Sequence, residues 1–148
     1  TMKSLPFPQA NNMDLIFSVL ADIGNEGLSK ADVSSKYKIK ERQGSYYLDA
    51  LLYLGFVEKV HSKYFLTQKG IDVRLAPQDA VKEKFIQELL KHPFIRSIWN
   101  DTRGMNKEDS SKFIESCIFN EYSTASSTAK RRASSIISWF EWIEKNKG

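Results

Sequence analysis

Apolar residues recur at helical spacing through most of the chain. Ile16, Val19, Leu20 and Ile23 share one face, which predicts a helix from Met13 to about Ile23, with Asn12 as its N-cap and Gly24 as its stop. Ser29-Lys30-Ala31-Asp32 has the form of a capping box and opens a short second helix that carries Val33 and ends near Tyr37. After Lys38-Ile39-Lys40, a third helix is expected from about Glu41 to Leu54. Its inner stripe is Gly44, Leu48, Leu51 and Leu52, with Tyr47 beside it, and Gly55 ends it. Residues 56–60 and 64–67 are short β-rich runs around the polar turn 61–63, a hairpin signal.

A helix over 68–75 follows, and Pro77-Gln78 marks a boundary. Helices are then expected over 80–92, 94–99 and 107–119, the last capped by Asn106, with a polar stretch over 120–127. The final helix runs from about Thr128 to Lys145, with Ala129, Ala133, Ile136, Phe140 and Ile143 in one stripe. The expected fold is mainly α with a small β-hairpin wing: tandem winged-helix or helix-turn-helix modules over 1–76 and 77–148. The second would have its wing missing or truncated, because the sequence ends where that wing would begin.

Composition narrows the class. The chain has 148 residues, 41% of them hydrophobic, enough to bury a core and to exclude disorder throughout. The longest apolar runs, such as Leu51–Leu54, are far short of the ~20 residues of a membrane span. The opening TMKSLPFPQA lacks the apolar run of a signal peptide, so a cytoplasmic protein is expected. The single cysteine, Cys117, excludes a disulfide framework and reads as a small apolar residue of its helix.

Net charge is +4, a modest excess whose distribution says more than its size. Residues 30–42 hold five bases against two acids, and residues 122–140 hold Lys130, Arg131 and Arg132 with no acid. Clustered bases among short polar side chains suit phosphate contacts; a solvated helix face accounts for either cluster equally well.

Helix, short helix, helix and hairpin within residues 13–67 is the order of a winged helix. Such a fold leaves one side of the third helix free for a major groove. That side carries Arg42, Gln43, Ser45, Tyr46 and Asp49, with Tyr53 further along. Arg pairs with guanine and Gln with adenine through two hydrogen bonds each. Lys38 and Lys40 precede the helix, and His61, Ser62 and Lys63 form the wing tip. In the last helix Thr128, Lys130, Arg131 and Arg132 lie in the first turns, where free N–H groups favour phosphate. Lys130, Arg131 and Ser134 lie off the apolar stripe, and Trp139 and Trp142 flank it as core or interface anchors.

Enzymatic signatures are lacking. His61 and His92 have no metal-binding context, and no P-loop, GxGxxG or GxSxG occurs. No lysine has an acid two positions before it, the spacing that common restriction nucleases use to hold Mg²⁺ beside an amine. No catalytic residue, metal, cofactor, small-molecule substrate or membrane partner is expected.

The run ERQGSYYLDALLYLGFVEK followed by YFLTQKG resembles the winged-helix modules of bacterial type II restriction endonucleases and related restriction–modification proteins. STAKRRASSIISWFEWI, at 127–143, resembles a segment of such proteins with a Thr, an Arg pair and spaced tryptophans. The resemblance implies a DNA-recognition region joined to, or cut from, a larger endonuclease whose nuclease domain lies elsewhere. It would carry DNA contacts onto Arg42, Gln43, Tyr46, Lys130, Arg131 and Arg132. The expected function is sequence-specific binding of double-stranded DNA at the bacterial nucleoid. Phosphate contacts are expected from Lys38, Lys40, Lys63 and Lys130, and base-edge contacts from Arg42, Gln43, Ser45, Tyr46 and Arg131. A winged-helix transcription regulator and a protein-interaction adaptor stand as alternatives.

Overall fold

The computed structural model describes residues 9–122 and 124–147; residues 1–8, Ser123 and Gly148 lie outside the described residues. The described chain is mainly helical with one two-stranded antiparallel sheet. In chain order the elements are α1 (Met13–Asp22), α2 (Lys30–Tyr37), α3 (Glu41–Tyr53), β1 (Val57–Val60), β2 (Lys63–Leu66), α4 (Gln68–Arg74), α5 (Val81–Leu89), α6 (Pro93–Asp101), α7 (Lys107–Glu121) and α8 (Ser126–Asn146).

Local chemistry sets most of the boundaries. Asn12 Oδ1 accepts from the Leu15 N–H, and Asn106 Oδ1 from the Asp109 N–H. Ser29 and Asp32 form the reciprocal capping box. His92 caps α6 through Nδ1, and Pro93 takes the first helical position, where a missing N–H costs nothing. α8 begins at Ser126, two residues before the apolar stripe suggests, because Ser126 and Ser127 extend the helix into solvent.

α2 and α3 meet through a tight turn. Lys38 closes α2 with φ 56°, and a Cβ on Gly44 would lie 2.8 Å from the Lys30 carbonyl oxygen. Only glycine allows that approach. The hairpin pairs Val57 with Leu66 and Val60 with Lys63 around His61-Ser62. Leu28 adds a bridge to Tyr64 through two 2.9 Å backbone hydrogen bonds, tying the start of α2 to the sheet.

One apolar cluster spans both halves of the chain. Phe85 of α5 stands 5.1 Å from Phe17, 5.0 Å from Phe56 and 5.9 Å from Trp142, ring centre to ring centre. Trp139 Nε1 donates to the Ala10 carbonyl at 2.8 Å, and Trp142 Nε1 to Asp14 Oδ1 at 2.7 Å. Both tryptophans therefore belong to the core. α7 runs antiparallel along α8: Lys107 at its start meets Glu141, whereas Phe119 near its end lies beside Ser126 and Ala129. No helix among the described residues is long and apolar enough to cross a membrane.

Candidate nucleic-acid interface

The candidate residues divide by helix and by side. Arg42 and Gln43 are exposed in the first turn of α3, and Ser45 and Tyr46 are half-buried beside them. Arg42 Nε donates to Tyr46 Oη at 2.6 Å, with the guanidinium 5.7 Å from the ring centre. Ser45 Oγ donates to the Arg42 carbonyl at 3.1 Å. Lys38 and Lys40 are exposed in the turn that precedes α3.

The other cluster, Thr128, Arg131 and Arg132, lies near the start of α8. Burial pushes the Arg132 guanidinium below its ordinary value, Arg131 pushes it the same way, and Tyr46 opposes them. Arg131 Nη2 lies 3.4 Å from Thr128 Oγ1, which accepts its proton. Among the described residues, no ion pair joins Arg42, Arg131 or Arg132 to an acid. The N-cap of α8 is Ala125, which has no side chain able to accept from the first N–H groups. Arg42 at the start of α3 and Arg131 and Arg132 near the start of α8 therefore carry guanidiniums without carboxylate partners among the described residues, that of Arg132 half-buried.

Not every candidate belongs to these two clusters. Lys130 is exposed and lines the groove between α7 and α8, with Glu115 and Ser134. It lies about 200° around the helix from Arg132. Lys63 is exposed, but its Nζ donates to the Glu26 carbonyl at 3.3 Å. The Gln43 carboxamide oxygen accepts from the Lys40 N–H at 3.3 Å and so closes the start of α3.

Two expectations for the outer side of α3 are corrected. Asp49 is half-buried and accepts from Tyr64 Oη at 2.7 Å, which fastens α3 to β2. Tyr53 is buried: its hydroxyl shares a hydrogen bond with Tyr122 Oη, and its ring lies 4.4 Å from that of His92. The second half of α3 is therefore taken up by the protein itself. Sequence spacing had no means of signalling either contact, because both partners are distant in the chain. Cys117 is half-buried, and burial pushes its thiol up. No group of three or more His, Cys, Asp or Glu side chains able to hold a metal occurs among the described residues.

Residues 15–147 match the family described as "Domain of unknown function (DUF7226)". The chain belongs to this family. No curated protein and no solved structure matches it. The DUF7226 match covers α1 from Leu15 onward and every later element, so both basic clusters lie inside the family domain.

Proposed function

We propose that this DUF7226 chain binds double-stranded DNA. In this reading residues 13–67 act as a winged helix, and the exposed first turns of α3 face the major groove. Arg42 and Tyr46 meet base edges, and Gln43 joins them after releasing the Lys40 N–H. Lys38, Lys40, Arg131 and Arg132 take phosphates on either side, with Thr128 holding Arg131 in place. The α8 N–H groups add to that phosphate site. Residues 77–148 then serve as the second helix-turn-helix-like module, contributing through the start of α8.

The observation that carries the reading is the exposed start of α3, where Arg42 donates to Tyr46 and, among the described residues, pairs with no acid. Arg131 and Arg132, near the start of α8, likewise pair with no acid among the described residues. The resemblance of 41–70 and 127–143 to restriction–modification proteins supports the narrower role: target recognition for a bacterial restriction endonuclease, at the nucleoid. Cleavage would then belong to a nuclease domain outside this chain.

Selection of bound duplexes from a random pool at two salt concentrations tests the proposal. A consensus that survives the higher salt is expected, and Arg42→Ala should relax it at one position and cost ~1–3 kcal/mol. A regulator would instead select a palindrome, and recovery of no duplex at either salt would leave the adaptor reading.

A further inference from the structure

Arg42 and Tyr46 stand one turn apart on α3, and their contact sets which donors of the guanidinium are offered outward. The Tyr46 ring is half-buried, which restrains the hydroxyl at its tip. Arg42 Nε donates to that hydroxyl at 2.6 Å. The Arg42 side chain is otherwise exposed, and neither of its Nη atoms donates to any described residue. Arginine carries five N–H donors in a rigid planar fork. With the Nε proton committed to Tyr46, the outer pair of Nη protons remains, parallel and pointing away from the Nε side.

Two parallel donors select two adjacent acceptors. In the major groove guanine offers O6 beside N7. Adenine sets an N6 donor beside N7, thymine has O4 beside a methyl group, and cytosine presents a donor. A phosphate also has paired acceptors. Lys38 and Lys40, exposed in the turn before α3, are the point charges that suit phosphates there, whereas Arg42 lies in the first turn, which in helix-turn-helix proteins meets base edges. An unrestrained exposed arginine loses much rotamer freedom when it binds; one already tied to Tyr46 loses less.

We infer that Arg42 reads one guanine of the target through its two Nη atoms, and that Tyr46 is the positioning residue that holds the fork for it. The inference rests on the DNA-binding reading and narrows it to targets that contain guanine. The Tyr46 hydroxyl accepts from Arg42 and keeps its own proton for an acceptor on a neighbouring base.

Base-atom substitution tests it. The consensus duplex recovered by selection is made again with 7-deazaguanine in place of each guanine in turn, which removes N7 and keeps O6 and the pairing edge. Fluorescence anisotropy of the full chain measures the affinity for each duplex. Wild type is expected to bind about tenfold more weakly when one particular guanine is replaced. Arg42→Lys keeps the charge without the fork, so that penalty should vanish. Tyr46→Phe keeps the ring without the hydroxyl, and the penalty should fall to about threefold. A tyrosine that only supported the fold would weaken all duplexes alike and leave the penalty unchanged. Circular dichroism confirms that each variant is folded. A duplex bound without a consensus, a consensus without guanine, no penalty at any guanine, or a penalty that Arg42→Lys retains would overturn the inference and leave DNA binding standing. A penalty unchanged in Tyr46→Phe would overturn the role of Tyr46, and recovery of no duplex would overturn the DNA-binding reading and the inference together.

Discussion

α3 and α8 are both amphipathic helices with bases in or beside their first turns, yet the protein uses them differently. α8 is covered along most of its length by α1 and α7, and nine of its residues are buried. α3 is covered on its inner side by α1 and α2 and fastened at its far end by Tyr64 and Tyr122, but its first turns are open. Thus α8 chiefly builds the fold, whereas the exposed side chains in the first turn of α3 add nothing visible to the core. Changes in the middle of α8 should cost stability; changes at an exposed side chain such as Arg42 should cost only binding.

The largest effect is expected at Trp139, fully buried and hydrogen-bonded to Ala10. Trp139→Ala should lose ~3–5 kcal/mol in urea unfolding, from lost burial and the cavity left behind. Gly44→Ala should cost ~1–3 kcal/mol, because the added methyl meets backbone rather than a movable side chain, and α2 must shift from α3. Tyr64→Phe should cost about 1–3 kcal/mol by leaving the half-buried Asp49 carboxylate without its donor. Arg42→Ala, by contrast, should leave the unfolding midpoint within about 0.5 kcal/mol of wild type. A large loss there would erase the distinction between the two helices.

The smallest effect concerns acid. Lys91, together with Lys84, holds the Glu88 carboxyl below the usual range, and the Ser29 N–H and hydroxyl hold Asp32 below it. A depressed folded value means stability present above the unfolded value of about 4 and lost as pH falls through the folded one. Thermal melts should therefore be flat from neutral pH down to about 5 and fall below that. Glu88→Gln should flatten the fall, because Glu88 then no longer titrates.

What the chain pattern reveals follows the same division. Element order, the caps at Asn12, Ser29 and Asn106, and the stripe of α8 are legible because they depend on residues three or four positions apart. The burial of Tyr53 and the tie of Asp49 to Tyr64 are not. Spacing tells which residues leave the apolar stripe but not which neighbour waits on the other side. Gln43 illustrates a nearer limit: a polar residue at the third helical position serves equally as a base reader or as a cap.

The central claim is that Arg42, Tyr46, Arg131 and Arg132 form one anion-binding surface for a duplex. Its most direct test is the affinity for a random-sequence duplex, measured by fluorescence anisotropy across a salt series for wild type and Arg132→Ala. The account predicts that log K falls linearly with log salt, and that Arg132→Ala binds more weakly on every duplex with a slope shallower by about 1. No binding at low salt, or an Arg132→Ala slope equal to that of wild type, would contradict it.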